Sequence, residues 1–200
     1  MEFADVVMAR RAVRRFEEGG VDRAVIERIA RLAQRTPSAG FSQGQRLVVV
    51  TDPEVRREVG RICGDEAYAG MGIGAWISQC AAIFIPCASE MVYHRRYQEP
   101  DKLREDGTEI EWPIPYWWVD IGATMQNVML AAVDAGLGCG FAGGDPAELQ
   151  ALLGIPEEFV PIGVMPVGRR LPDVRSPSLK RGWIPFEAFA RWDRWSDAAG

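Results

Sequence analysis

The stretch Asp120–Ala135, DIGATMQNVMLAAVDA, constrains the fold most. It is long, rich in small and apolar residues, free of proline, and it stops at Gly136. Such a run reads as one long helix closed by a glycine, the residue that most easily takes the left-handed turn at a helix end. A helix this apolar needs partners, and the sequence offers them in short pieces. Arg46–Thr51 (RLVVVT) and Ala81–Ala88 (AAIFIPCA) are brief apolar runs that read as buried strands, and Val160–Gly168 (VPIGVMPVG) reads as a third. Asp22 can cap a helix running through Arg35, whose Val25, Ile26, Ile29, Leu32 and Ala33 follow helical spacing. A short helix is expected over Phe3–Arg11. Asp52-Pro53 should start another that runs to about Cys63, and Asp145-Pro146 one that stops at Gly154. Thr36–Gln45 (TPSAGFSQGQ) is turn chemistry. Long helices mixed with few strands imply a layered α/β or α+β fold, and 200 residues suit one domain.

Two regions break this regularity. Residues 89–118 mix charges, prolines and aromatics without clean periodicity, so an excursion over the surface is expected there, suited to a lid or a substrate-facing region. The tail, SLKRGWIPFEAFARWDRW, carries more aromatics than one small core absorbs, and is expected to pack on a second subunit.

The formal net charge is −5, and an acidic chain is a poor non-specific binder of nucleic acid. No apolar run approaches the ~20 residues of a membrane helix, and the N-terminus places acids before bases, the reverse of a secretory signal. Cys63, Cys80, Cys87 and Cys139 form no C-x-x-C pair, so reduced thiols and a cytoplasmic location are expected. The single histidine, His94, leaves no zinc ligand set and no serine triad with a G-x-S-x-G elbow.

Against that acidic background, Arg10–Phe16 (RRAVRRF) places four arginines within six residues. Two readings stand: a solvated basic face, or a site for a local anion such as phosphate, whose oxygens match guanidinium forks. Lys180-Arg181 is a second basic pair that could complete a clamp. Gly138-x-Gly140-x-x-Gly143 matches a dinucleotide fingerprint as a string, but a helix precedes it where the fingerprint needs a strand. A glycine-rich backbone approaching a flat ligand is the better reading.

Taken in order, these pieces resemble the FMN-dependent nitroreductase superfamily. RRAVRRF resembles its R-R-S-x-R-x-F, and TPSAGFSQGQRLVVV its A-P-S-x-x-x-x-Q-P-W-x-F-V-V-V. DIGATMQNVMLAAVDAGLGCG resembles its central helix, Q-N-x-x-L-A-A-x-x-x-G-L-G, and LLGIPEEFVPIGVMPVGRR its L-G-I-P strand region. The resemblance implies an α+β nitroreductase-like fold, with a central mostly antiparallel sheet flanked by helices, in an intertwined homodimer. It implies FMN at the dimer interface and NAD(P)H as co-substrate, with hydride passing in ping-pong fashion through flavin N5 to a small-molecule electron acceptor of nitroaromatic, quinone or enone type. Arg10 and Arg11 match positions that hold the FMN phosphate and nearby ribityl oxygens, Ala12 the adjoining serine position, and Arg14 the cation near flavin N1. Pro37, Ser38 and Ala39 match a partner-chain loop over the flavin. Ala142, Gly143 and Gly144 match the loop at the N5 edge, and Lys180 and Arg181 the basic residues that close on the phosphate. Phe41, Trp112 and Trp117 are candidates to line the acceptor pocket.

This chain departs from the family pattern at Ala12, Phe41 and Gly44-Gln45. The PSAGF and LKR strings lean toward the subgroup of iodotyrosine deiodinase and the flavin-destroying benzimidazole synthase, although Ala142 lacks the deiodinase hydroxyl. Oxygen-dependent flavin fragmentation and flavin sequestration with little turnover are the alternative functions.

Overall fold

The computed structural model describes residues 1–173 and 176–195. Helices α1 (Phe3–Ala9) and α2 (Arg23–Ala33) precede strand β1 (Gln45–Val50). Helices α3 (Pro53–Ile62) and α4 (Asp65–Gly70) lead to β2 (Ala82–Ala88), and α5 (Glu90–Tyr97) to the long α6 (Tyr116–Asp134). Then follow β3 (Gly138–Cys139), α7 (Pro146–Leu153), β4 (Val160–Pro161), β5 (Met165–Gly168) and the short α8 (Phe186–Phe189). The sheet runs β1-β2-β5-β3, with β4 also paired to β2, and every strand pairing is antiparallel. No described helix is long and apolar enough to cross a membrane.

Strand β2 explains its own apolar run, because it is buried throughout. Ala82 and Phe84 pack with Ile26 and Ile29 of α2 and Val128, Ala131 and Ala132 of α6. Ile83, Ile85 and Cys87 face the opposite cluster, with Val59, Trp76, Ile77 and Leu149. Two cores therefore sandwich the sheet, and α6 lies along one of them. All four cysteines are free and buried, and burial pushes the thiol of each, from Cys63 to Cys139, up to about 12.

Asp22, Asp52 and Asp145 each cap a helix with the side chain, accepting from Ala24, from Glu54 and Val55, and from Glu148 backbone N–H groups respectively. Three expectations need correction. The third strand is two: Gly163 has φ +136°, and a Cβ there would stand 2.6 Å from the Ala142 carbonyl, so the chain turns between β4 and β5. Residues 90–97 are helical rather than part of an irregular excursion, because Ser89 caps them through the Val92 N–H and Tyr93 anchors them in the core. The long helix expected from Asp120 starts earlier, at Tyr116, so Asp120 lies buried in its second turn.

Candidate functional site

Helix α1 ends at Ala9, so the four arginines lie on extended chain. Ala12 bridges Cys139 of β3 in parallel, with the Val13 N–H donating to the Cys139 carbonyl at 3.0 Å. On its other side this segment meets the chain leaving β5. Phe16 bridges Arg170, Leu171 N–H donates to the Arg15 carbonyl, and Arg14 N–H donates to Asp173 Oδ2 at 2.8 Å. Val13 and Phe16 are buried and fix the strip in place.

None of the four guanidiniums pairs with a carboxylate among the described residues. The Arg14 guanidinium carbon lies 5.9 Å from the centroid of the Trp76 ring, while Arg15 reaches only the Pro172 carbonyl, at 3.5 Å. Arg10 lies two residues before the Ala12 bridge to β3, and its positive charge opposes the rise that burial and Cys80 give the Cys139 thiol. Arg10 and Arg14 are half-buried, and Arg11, Ala12 and Arg15 are exposed.

Directly after β3, the glycine-rich string passes along the same strip. Gly140 lies so close that a Cβ would stand 2.5 Å from the Val13 carbonyl oxygen and 2.4 Å from the Trp76 ring. Ala142 bridges Val164, its N–H donating to the Val164 carbonyl at 3.0 Å. The Ala142 N–H is therefore spent within the protein. Gly143 is exposed, a Cβ there would meet nothing within 4 Å, and its N–H has no acceptor among the described residues. The Rossmann reading is excluded by order: α6 leads into β3, and β3 pairs antiparallel with β5.

The structure thus brings the Arg10–Phe16 strip against Cys139 and Gly140, and Ala142, Gly143 and Gly144 follow along the chain, with Ala142 bridged to Val164 and Gly144 packed toward Cys63 and Leu149. It does not bring the other predicted residues there within one chain. Pro37, Ser38 and Ala39 sit on a turn held by α5 and α6: Ala39 N–H donates to Asp120 Oδ2 at 2.9 Å, and Gln43 N–H to Ser38 Oγ at 2.8 Å. Phe41 projects from this turn, 72% exposed, with a left-handed backbone (φ 55°). Lys180 and Arg181 end a 3-10 turn, Pro177–Arg181, and are exposed, without a hydrogen bond or ion pair to the arginine strip among the described residues.

Trp117 is buried and Trp112 half-buried in a cluster with Tyr93 and His94, their rings about 6 Å apart. Both belong to packing in this chain, which leaves Phe41 as the exposed aromatic candidate.

Sequence reasoning missed the support of the Pro37–Phe41 turn. Asp120 Oδ2 accepts from Tyr93 Oη at 2.7 Å as well as from Ala39 N–H. Burial and the Asp120 contact push the Tyr93 phenol up. Arg96 Nε donates to the Gly40 carbonyl at 3.1 Å.

The residues of the strip fit FMN by their chemistry. Unpaired guanidiniums can take a phosphate, a free N–H stands at an exposed glycine, and the missing Cβ of Gly143 leaves room for a flat ring. Fold and site together define a small α+β protein with a strip of arginines, unpaired with carboxylates among the described residues, beside a glycine-rich string. The chain belongs to the nitroreductase family, whose profile matches residues 7–169. An NADPH-flavin oxidoreductase of Vibrio harveyi is 27% identical, over 88% of this chain and 68% of that protein. An FMN reductase (NADPH) of Bacillus subtilis is 22% identical, over 82% of this chain and 64% of its own length. The crystal structure of a nitroreductase family protein from Streptococcus pneumoniae superposes with a TM-score of 0.73 at 18% identity, covering 95% of this chain and 99% of that one.

Proposed function

We propose that this chain passes reducing equivalents from NAD(P)H to a small organic acceptor of nitroaromatic, quinone or enone type, in a ping-pong cycle. As a nitroreductase family member it is an FMN-dependent NAD(P)H oxidoreductase, and the acceptor class and the ping-pong order are the finer reading. The observation that supports it is the unpaired arginine strip lying against β3 and Gly140, at the start of the glycine-rich string.

Bound FMN supplies hydride acceptance and donation at N5. The chain's own residues would bind and orient. Arg10 and Arg11 hold the phosphate end, with Lys180 and Arg181 closing on it from the tail. Arg14, fixed over Trp76, sets a cation that favours the anionic reduced ring. The free N–H at Gly143, rather than that of Ala142, is the donor available to the ring edge. No side-chain acid or base is required of the protein.

The site is completed by a second copy. Its Pro37–Ala39 turn covers the ring and its Phe41 lines the acceptor side, which is why these residues stand apart from the arginines in one chain. The exposed tail aromatics, Trp183 (91%), Trp192 (79%) and Trp195 (82%), pack on that copy. The whole chain then acts as one domain, with residues 169–200 as its dimer extension.

Purified protein should carry FMN, and NADPH or NADH should bleach the flavin absorbance within seconds in a stopped-flow mixer. Bound flavin that neither nicotinamide bleaches would refute turnover and leave a sequestering protein. Dimethylbenzimidazole formed under reductant and air would establish fragmentation instead.

A further inference from the structure

Trp76 belongs to no helix or strand, yet it is 1% exposed and among the largest side chains buried completely. Connecting segments normally run over the surface, so something must hold this one inside. The side chain of Asp65, itself buried, does so. Its Oδ1 accepts from the Ile77 N–H at 2.9 Å and its Oδ2 from the Ser78 N–H at 2.8 Å, which fixes the turn directly after Trp76. A Cβ on Gly60 would stand 2.4 Å from Asp65 Oδ2, so glycine leaves the room that this carboxylate needs. Tyr68 meets the indole edge to face, with 5.6 Å between ring centroids.

The indole touches two parts of the candidate site at once. Its benzo edge lies against the start of the glycine-rich string, where a Cβ on Gly140 would stand 2.4 Å from Cζ3 and 3.2 Å from Cη2. The Arg14 guanidinium carbon lies over the ring, 5.9 Å from the centroid. The Trp76 Nε1–H is buried and has no acceptor among the described residues. Burying an N–H without a partner costs free energy, so packing alone would be served better by phenylalanine. What the indole offers instead is the aromatic face that attracts a guanidinium most strongly. We propose that Trp76, on the turn that Asp65 holds, is a positioning residue of the flavin site: it fixes where the Arg14 charge stands, and so sets how strongly the protein favours reduced over oxidised flavin. The proposal rests on the reading that places Arg14 beside the flavin, and concerns a residue that acts only through Arg14.

Midpoint potentials of the FMN-loaded protein, read by anaerobic titration against a reference dye, test it without turnover. A cation beside the anionic reduced ring raises the potential, so Arg14→Ala should lower it. A tenfold loss of preference for reduced flavin reads as about 30 mV in this two-electron couple. Trp76→Leu should lower the potential in the same direction, and Trp76→Phe by less, because a weaker ring face remains. Oxidised FMN should bind both variants with near wild-type affinity, whereas a site that is merely loosened loses affinity for both oxidation states. In an Arg14→Ala background, Trp76→Leu should lower the potential no further. A wild-type potential in both Trp76 variants, or in Trp76→Phe should the leucine variant not fold, beside a lowered one in Arg14→Ala, overturns the proposal and leaves Arg14 beside the flavin. So does a Trp76→Leu shift that persists undiminished without Arg14. A wild-type potential in Arg14→Ala refutes the placing of Arg14, and the proposal falls with it.

Discussion

Arg96 and Arg14 are both half-buried arginines, and the fold treats them in opposite ways. Arg96 donates to Asp101 through both terminal nitrogens at 2.7 Å, to Glu99 at 2.8 Å and to the Gly40 carbonyl at 3.1 Å. Its hydrogen bonds hold the Asp101 carboxyl down at about 2. Arg14 has no carboxylate on its guanidinium and rests over an indole ring. Saturated charge around Arg96 ties a turn to a helix. Unsaturated charge around Arg14 and its neighbouring arginines is repulsive, and an anion would offset it. The polar groups of one region serve the fold, and the guanidiniums of the other meet no carboxylate among the described residues, so the same kind of substitution should break different things in each.

The largest expected effect lies in the saturated region. Asp120→Ala strands the Tyr93 hydroxyl and the Ala39 N–H, and should lower folding stability by about 2–4 kcal/mol, read as a fall in Tm. A Tm within a degree of wild type would show that these bonds hold nothing. The arginine strip should respond the other way. Arg10→Ala and Arg181→Ala should each weaken FMN affinity by about 1.5–3 kcal/mol, tenfold or more, with the Tm of flavin-free protein unchanged. Arg15→Ala should do much less, since Arg15 reaches only a peptide carbonyl at 3.5 Å. Equal FMN affinity in all three variants would erase the distinction. Gly140→Ala tests what lies between the regions. A Cβ there collides with the Val13 carbonyl and Trp76, so about 1–3 kcal/mol of stability should be lost, and flavin binding with it.

These contrasts also explain what could be read in advance. Strand β2 was legible because both its faces are buried, which makes its apolar run continuous. Helices α2, α3 and α7 were legible because aspartate caps, and proline in two of them, act within a few residues. The arginine strip was legible as charge without partners. Asp120 was not, because its partners Tyr93 and Ala39 lie 27 and 81 residues away and no local rule joins them. Helix α5 was hidden for a related reason: its sequence EMVYHRRY spends its polar groups on distant partners, so no amphipathic period emerges. The split of β4 from β5 turned on one glycine pressed against Ala142, again a contact far along the chain.

The smallest predicted effect concerns the sole histidine, which belongs to the saturated region. His94 Nδ1 lies 2.6 Å from Glu109 Oε1 and Nε2 lies 3.3 Å from Glu90 Oε1, while Trp112 Nε1 donates to Glu109 at 2.7 Å. Burial lowers the His94 pKa, but the hydrogen bonds to Glu109 and Glu90 outweigh it, and the net shift is upward from 6.5. A raised folded-state pKa contributes stability fully present below pH 6.5 and lost as pH rises through the folded value. For Glu109, burial raises the pKa, yet hydrogen bonds from Trp112, His94 and Gln98 prevail and hold it below 4.5, so its share fades only as pH falls. The latch between α5 and residues 109–112 should therefore be firmest between those limits and loosen in mild alkali. Because the chain has one histidine, its ring protons give a single NMR titration, whose midpoint should lie above 6.5 and drop in E109Q. A midpoint at or below 6.5 would mean that burial prevails and that Glu109 holds Trp112 but not the histidine charge. At 36% exposure the imidazole is well screened, so the accompanying change in Tm should be small beside that of Asp120→Ala.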